Sequence, residues 1–387
     1  MFAARIDQIQ PFRAMQVLDR AAQFEAQGKT VVHFEVGEPD FPTAAPIVEA
    51  GGRALHEGHT KYTSATGIPA LREAIADHYA NLGLDVDPSR VVVTSGASAG
   101  LTLLAGLLLN PGDELLITDP GYPCNEVFAR LVGGVPRPMP VGVNQRFQAG
   151  LSDVESAWSD SARGVLLASP ANPTGTMLPA ETIRGIAGFV RQQSGFFILD
   201  EIYQGLTRDA EYASGLAVAD DLYILNSFSK YFGMTGWRLG WLVVPEAAIE
   251  GVTKLAQNLF IAPNAPAQHA ALTAFSPAAM TVHAERAETF KARADILIGG
   301  LRELGFQIPV EPEGAFYLYV DVSHTGMSGA EFCHRLLEEH QVAVTPGDDF
   351  GSYLHERYVR FAYTTGEEAI RMGLERIGAA LTSWGVR

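Results

Sequence analysis

Residues 222–230 of this chain read LYILNSFSK. Four apolar residues are followed at once by Asn226 and Ser227, and then by Phe228, Ser229 and Lys230. A continuous apolar run of this length is typical of a strand that is buried on both faces, as in a parallel sheet. Ligands of open parallel sheets bind beyond the carboxyl ends of the strands, so the pattern predicts a site near Lys230.

The same pattern recurs upstream, where apolar runs end abruptly in small or polar residues. These predicted strands are Val91–Thr94 before Gly96, Leu115–Thr118 before Tyr122, Gly164–Ala168 before Asn172, and Phe196–Leu199 before Asp200. Apolar residues at helical spacing occupy the intervals at 69–82, 99–110 and 179–193. Strands that alternate with helices predict an α/β domain with a mostly parallel sheet.

The regular alternation of strands and helices ends near Phe275, and a different arrangement of elements is predicted after it. The elements predicted there are helices at 281–304, 328–340 and 367–384 and strands at 315–320 and 358–362. They form a second, α+β unit. No linker rich in glycine, serine or proline separates the two units, so we expect them to pack firmly together.

The composition limits the partners. The 387 residues include 28 Lys and Arg against 44 Asp and Glu, a formal net charge of −16. A surface this acidic repels nucleic-acid phosphates and anionic lipids, so neither is an expected partner, and an anionic ligand must be held by local donors. Two cysteines, and no apolar run long enough for a signal peptide or a membrane span, predict a cytoplasmic protein with free thiols.

Several strand ends carry residues that could bind a ligand or take part in a reaction. Gly96–Ser98 opens a helix with small residues, which lets backbone amides reach a phosphate. Asp200 follows a buried strand and needs a cationic or strongly donating partner. A desolvated Lys230 would lose proton affinity and become nucleophilic. Taken singly, each residue also has a plainer interpretation as a turn, a cap or a surface lysine. The dinucleotide-binding and P-loop glycine motifs do not occur.

Residues 227–238 read SFSKYFGMTGWR, so two hydroxyls precede the lysine and an arginine follows it. Hydroxyls and a guanidinium beside an amine can form a phosphate cup. The segment resembles the lysine motif of class I/II aminotransferases, fold type I enzymes that use pyridoxal phosphate (PLP). Further matching motifs follow the family order: Gly37–Phe41, Lys61–Thr63, Asn172–Gly175, Asp200–Tyr203 and Tyr358–Phe361.

The resemblance implies a role for each matching residue. Lys230 would form a Schiff base with PLP and later carry a proton, and Asp200 would keep the pyridine nitrogen protonated. Asn172 and Tyr203 would bind the phenolate oxygen, and Tyr122 would stack on the ring. The expected phosphate ligands are Ala97, Ser98, Ser227, Ser229 and Arg238, completed by Tyr62 from the partner subunit of a homodimer.

The resemblance also implies a substrate site and a domain division. Arg360 would grip the substrate α-carboxylate, with Gly37 and Asn172 beside it. The large PLP-binding domain is expected at 47–276, with a seven-stranded, mostly parallel sheet flanked by helices. The small α+β domain is expected to combine 1–46 with 277–387. Asn172-Pro173 is a candidate cis peptide bond by the same resemblance.

The expected reaction is transamination between an L-amino acid and a 2-oxo acid by a ping-pong mechanism. A PLP lyase on the same scaffold, such as a C–S lyase or a cyclopropane-carboxylate synthase, is the alternative. An effector-sensing regulator is disfavoured, because about 30 residues before Gly37 are too few for a DNA-binding domain.

Neutral or aromatic donors are expected, with 2-oxoglutarate or pyruvate as acceptor, because no cation stands near Ser98. Arg13 could instead bind a second carboxylate or could point to solvent. Phe12 and Phe316 could line the pocket, and Arg357 competes with Arg360 for the carboxylate. Two further residues, Asp348 and Asp349, are expected in a solvated loop.

Overall fold

The computed structural model describes residues 2–208 and 214–386, and the strands in these ranges form three sheets. The strands are β1 (Val32–His33), β2 (Val91–Thr94), β3 (Glu114–Asp119), β4 (Val135–Pro140), β5 (Ala162–Ala168), β6 (Phe196–Asp200), β7 (Tyr223–Ser227), β8 (Gly240–Val243), β9 (Tyr317–Asp321), β10 (Val342–Ala343), β11 (Thr345–Pro346) and β12 (Tyr358–Ala362). The helices are α1 (Arg13–Ala26), α2 (Ala45–His56), α3 (Pro69–Asn81), α4 (Ala97–Leu108), α5 (Cys124–Leu131), α6 (Leu151–Ala157), α7 (Ala180–Gln192), α8 (Ile249–Leu259), α9 (Ala265–Leu272), α10 (Pro277–Glu303), α11 (Gly329–His340) and α12 (Glu367–Ser383).

The largest sheet has seven strands in the order β2-β8-β7-β6-β5-β3-β4. Its strands run parallel except β8, which is antiparallel to both of its neighbours. Every residue of β2 and β6 is buried, as expected for apolar strands covered on both faces by helices. The mostly parallel α/β sheet predicted from the sequence is confirmed.

Two strands of this sheet were not predicted. Strand β4 reads VPRPMP, and its three prolines lack the N–H that a central strand would donate; it lies at the sheet edge and pairs with β3 alone. Strand β8 has only four residues and follows a glycine-containing turn at Thr235–Trp237 within the lysine motif. Because β8 is antiparallel, its amino end lies at the edge where its neighbours have their carboxyl ends, which brings Arg238 to that edge.

The long helix α10 begins four residues before the predicted start at 281. Ser276 caps it by accepting a hydrogen bond from the Ala279 amide, and Pro277 occupies its first position. Serine followed by proline is an established helix-start signal, so the sequence contained the information for this boundary. Helices α1, α2, α5, α6, α8 and α9 were not predicted.

The remaining two sheets form the second unit. Strands β11, β12 and β9 make an antiparallel sheet, and β1 pairs in parallel with β10, so the N-terminal segment lies with the C-terminal third. A buried carboxylate joins the two units, because Asp119 at the end of β3 accepts from the amides of Ser352 and Tyr353. Among the described residues, no helix is both long and apolar enough to cross a membrane.

Candidate active site

The carboxyl edge of the large sheet opens into a cavity of about 260 Å³ that residues of both units line. The residues predicted from the sequence that line it are Gly37, Ala97, Ser98, Tyr122, Asn172, Asp200, Tyr203, Ser227, Ser229, Lys230, Arg238 and Arg360. Tyr62, the phosphate ligand expected from a partner subunit, does not line it; this side chain is 82% exposed on the surface. The fold therefore gathers side chains that lie more than 300 positions apart in sequence.

Lys230 follows β7 by three residues and projects into this cavity. Its Nζ donates a 2.6 Å hydrogen bond to the Gly37 carbonyl and lies 5.8 Å from the ring centroid of Tyr203. Burial lowers the pKa of Lys230 to about 8, although the Glu38 carboxylate at the cavity rim partly opposes the shift. An amine with this pKa has a substantial neutral, nucleophilic fraction near neutral pH.

Asp200 ends the neighbouring strand β6 and is 5% exposed. Its Oδ1 accepts a 3.0 Å hydrogen bond from the Ile202 amide. Burial raises the pKa of Asp200 to about 7, and the Lys230 cation only partly offsets this effect. Because burial disfavours the ionised form of this carboxyl group, a cationic N–H donor inside the cavity would stabilise it.

The start of α4 forms one end of the cavity. Gly96 precedes the helix at φ 83°, and no side chain caps the first amides, which belong to Ala97 and Ser98. A Cβ atom at Gly96 would lie 2.6 Å from Nη2 of Arg238, so glycine leaves the room that the guanidinium fills. Free helix N-terminal amides beside an arginine are a site for a phosphate.

Two serine hydroxyls lie on the same side of the cavity. Ser227 Oγ accepts a 3.0 Å hydrogen bond from the Ser229 amide, and both residues are almost fully buried. Arg238 itself is held by a 3.1 Å bond from Nη1 to the Thr235 carbonyl. This donor set, with the Lys230 amine and the Asp200 carboxylate beyond it, fits a phosphorylated pyridine aldehyde.

Arg360 lies on β12, opposite the phosphate end, and is 2% exposed. Its Nη1 donates to Asn172 Oδ1 at 3.0 Å, and its Nη2 donates to the Glu35 carbonyl and to Thr345 Oγ1. Its buried Nε has no hydrogen-bond partner within the described part of the chain. The fixed guanidinium plane can bind a carboxylate of a ligand in the cavity.

Tyr317 is a lining residue that the sequence reasoning missed. It begins β9, and its hydroxyl lies 2.8 Å from the hydroxyl of Tyr203. Phe316, named from the sequence, is fully buried and is not part of the lining, although it packs on Tyr203. Phe316 lies in the turn just before β9 and Tyr317 is the first residue of that strand, so a difference of one position decides which aromatic side chain lines the cavity.

Three other sequence predictions concern Phe12, Arg13 and the loop that carries Asp348 and Asp349. Phe12 lines the cavity and meets Tyr122 edge-on, with ring centroids 6.3 Å apart. Arg13 does not line it and instead pairs with Asp348 at 3.6 Å. The expectation of a solvated loop was wrong for Asp349, which is buried and accepts hydrogen bonds from the amides of Arg13 and Ala14 at the start of α1.

Arg357 is half-exposed and binds Asp321, so it does not compete for the cavity. The Asn172-Pro173 bond is cis, as the family resemblance implied. Both cysteines are free thiols; Cys333 is buried and Cys124 is half-buried.

Comparisons with known proteins match the chain over nearly its whole length. A family model described as aminotransferase class I and II matches residues 29–377. The valine–pyruvate aminotransferase of Mycobacterium tuberculosis is 35% identical over 378 residues, 97% of each chain. The aspartate aminotransferase of Thermotoga maritima is 35% identical over 387 residues, covering 99% of this chain and 100% of that one. The crystal structure of an aminotransferase from Mycobacterium tuberculosis superposes with a TM-score of 0.95 at 35% identity, covering 99% of both chains.

Proposed function

Because this chain belongs to the class I and II aminotransferases, we propose that it uses PLP to move an amino group from a neutral or aromatic L-amino acid to a 2-oxo acid. The exchange would be ping-pong, so the oxo product of the donor leaves before the acceptor binds. One observation carries the proposal: a single cavity joins the half-buried Lys230, a buried carboxylate, a set of phosphate donors and the buried Arg360.

The chain would hold the cofactor at both ends. The amides of Ala97 and Ser98 and the Arg238 guanidinium would bind the phosphate, with Ser227 and Ser229 beside them. Asp200 would accept a hydrogen bond from the protonated ring nitrogen, Asn172 and Tyr203 would bind the ring oxygen, and Tyr122 would cover the ring face. Bound PLP supplies an electron sink for the pair left when the substrate Cα loses its proton.

Lys230 would be both the covalent anchor of the cofactor and the base for the substrate Cα proton. A base works best when its pKa lies near the operating pH, and burial has brought the pKa of Lys230 down to about 8. The 2.6 Å bond to the Gly37 carbonyl shows that the amine can reach the small-unit side of the cavity, where Arg360 would hold the substrate.

Arg360 would orient the donor through its α-carboxylate. Asn172 Oδ1 and the Glu35 carbonyl already fix the guanidinium plane, so little side-chain freedom is lost when a ligand binds. A carboxylate held there places the α-amino group of an L-amino acid toward the middle of the cavity. This arrangement explains why an arginine, which can bind two oxygens at once, would be used.

The charges that line the cavity favour an uncharged donor side chain. Its lining cations are Lys230, Arg238 and Arg360, and each already has a proposed task. Arg13, the sequence candidate for a second carboxylate, is turned toward Asp348. The apolar part of the lining includes Phe12, Met15, Val36, Leu101 and Ile202. Among the described residues of one chain, no further arginine or lysine lines the cavity to bind the side-chain carboxylate of a substrate such as aspartate.

A homodimer would complete the phosphate site. Tyr62 is 82% exposed although it is aromatic, and Leu55, Leu259 and Ile261 are also more than half exposed. Helix α2, which carries Leu55 and precedes Tyr62, packs against α9, which follows Leu259 and Ile261. Exposed apolar side chains on adjoining elements suit a second copy of the chain, whose Tyr62 would reach the phosphate.

The decisive experiment incubates the purified PLP-loaded enzyme with single amino acids in the absence of any oxo acid. Alanine, valine, methionine and phenylalanine are expected to give one equivalent of pyridoxamine phosphate and one of 2-oxo acid, after which the reaction stops. Pyruvate or 2-oxoglutarate should then restore the starting spectrum. Continuous release of ammonia, pyruvate or thiol would instead identify a lyase. Rapid conversion of the bound PLP by aspartate, with no conversion by the apolar donors, would overturn the proposed substrate class.

A further inference from the structure

Tyr317 connects two parts of the site that the proposed reaction uses separately. Its hydroxyl lies 2.8 Å from the hydroxyl of Tyr203, the proposed ligand of the cofactor ring oxygen. Its ring lies beneath the guanidinium of Arg360, with 4.5 Å between Cζ and the ring centroid. The side chain is 1% exposed and lines the cavity. One rigid aromatic residue thus contacts both the cofactor-oxygen ligand and the carboxylate ligand.

The surrounding backbone leaves room for the Tyr317 hydroxyl in particular. A Cβ atom built on Gly37 would lie 2.1 Å from that oxygen, so any larger residue at position 37 would displace it. The ring contacts with Tyr203 and Phe316 would be the same for a phenylalanine. A buried hydroxyl that packing does not require must be explained by its hydrogen bond.

The direction of that hydrogen bond follows from the number of protons. Each tyrosine hydroxyl has one proton to donate. If Tyr203 donates its proton to the ring oxygen of the bound cofactor, its own oxygen can only accept from Tyr317. A donor that is itself receiving a hydrogen bond is polarised and becomes a stronger donor.

We propose that Tyr317 is a positioning residue that strengthens the hydrogen bond from Tyr203 to the cofactor and, through its ring, supports the Arg360 cation that binds the substrate carboxylate. This inference rests on the proposed function, because it needs a cofactor oxygen next to Tyr203. The hydroxyl and the ring have separate tasks, so they can be removed separately.

The test of the hydroxyl is a pH titration of the visible absorption band of the lysine-bound cofactor. Hydrogen bonds to the ring phenolate stabilise its charge and weaken its hold on the proton shared with the lysine nitrogen, so losing one raises the spectral pKa. Tyr203→Phe is expected to raise it, and Tyr317→Phe to raise it by less. The double variant should match Tyr203→Phe alone, because Tyr317 acts only through Tyr203.

Replacing Tyr317 by 3-fluorotyrosine keeps the shape and makes the hydroxyl a stronger donor, so it should move the spectral pKa the opposite way. The 3-fluorotyrosine variant also tests the role of the hydroxyl if Tyr317→Phe does not fold. Tyr363→Phe is the matched control, since it removes an equally buried hydroxyl that donates to the Ala315 carbonyl and does not line the cavity. It should leave the titration unchanged.

The test of the ring is kinetic. Tyr317→Phe should leave the KM for the amino donor within about twofold, whereas Tyr317→Leu should raise it roughly 2-fold to 30-fold as the cation–π contact is lost. A spectral pKa that does not move in Tyr317→Phe, or shifts that add in the double variant, would overturn the proposal while the enzyme still transaminates. A wild-type protein that takes up no PLP would overturn the proposed function and this inference with it.

Discussion

Burial acts in opposite directions on the two ionisable groups at the centre of the site. It lowers the pKa of Lys230 to about 8 and raises the pKa of Asp200 to about 7, because a low-dielectric environment favours the neutral form of each. The same desolvation therefore prepares a nucleophilic amine and a carboxylate that gains from a cationic partner. Lys254 differs in position from Lys230, because it lies on the surface and pairs with Glu250 in solvent.

Replacing Lys230 by alanine tests its proposed roles. The variant is expected to bind PLP without the visible band of the lysine-bound form and to lose turnover by on the order of 10³-fold, since the base is removed. Absorption spectra and initial rates with a good donor are the measurements. Lys254→Ala, on the exposed face of α8, should behave like the wild type. Undiminished turnover in the Lys230 variant would mean that another group takes the Cα proton.

The Arg360 site should show the cost of losing a buried charge pair. Arg360→Ala is expected to weaken binding of the amino donor and the oxo acceptor by roughly 2–5 kcal/mol. Arg360→Lys keeps the positive charge but cannot bind both carboxylate oxygens at once, so it should recover only part of the lost binding free energy. Steady-state KM values for both substrates report the effect, with half-exposed Arg357→Ala as the control. An unchanged KM in Arg360→Ala would place the carboxylate site elsewhere.

The start of α4 shows how an element creates a site from backbone alone. Gly96 adopts φ 83°, which L residues rarely adopt, and its missing Cβ makes room for Arg238. The antiparallel strand β8 delivers that arginine from the opposite chain direction. A phosphate bound there would accept hydrogen bonds from the first amides of α4, which no side chain caps.

Gly96→Ala is expected to weaken PLP affinity by about 1–3 kcal/mol, because the new Cβ crowds Arg238 out of position. Gly112→Ala is a matched control: it has a similar φ of 91° but no atom within 4 Å of the new Cβ. Both variants should lose a comparable amount of stability in urea, but only Gly96→Ala should lose PLP in equilibrium dialysis. Equal affinities in the two variants would remove the phosphate site from α4.

At the scale of the whole molecule, a buried histidine makes stability depend on pH. His283 is fully buried on α10 beside Tyr231 and Phe232. Burial, followed by the charge of nearby Arg286, lowers the pKa of His283 to about 4 from 6.5. The unfolded chain therefore binds a proton that the folded chain resists. This stability is present above the unfolded value and is lost as the pH falls from 6.5 toward 4.

His283→Phe should reduce this acid sensitivity, since an aromatic ring is kept and the proton site is removed. Between about pH 7 and about pH 5, the wild type should lose about 2 kcal/mol more of its free energy of unfolding than the variant. Urea unfolding followed by circular dichroism at the two pH values measures the difference. The exposed His56→Phe serves as control. Identical pH dependence in the His283 variant and the wild type would show that other groups set the acid limit.

The sequence by itself determined which short segments carry the chemistry. A buried parallel strand is an unbroken apolar run, and the residues after it stand at the sheet edge, so Asn172, Asp200 and Lys230 could be placed together without coordinates. The phosphate end was readable for the same reason, because small residues at a helix start are a local signal. Strand β4 could not be predicted from the sequence, because its prolines are tolerated only in an edge strand. Whether a strand lies at the edge of a sheet depends on the whole fold and not on the local sequence.

Only the tertiary structure decided which side chains from distant segments meet. The hydroxyl of Tyr317 reaches that of Tyr203 across 114 positions, and Asp349 binds the amide of Arg13 across 336. Whether Phe316 or Tyr317 faces the cavity, and whether Arg13 faces the substrate or Asp348, depends on strand register and helix docking. These follow from burying whole surfaces together, and no pattern within a few residues encodes that choice.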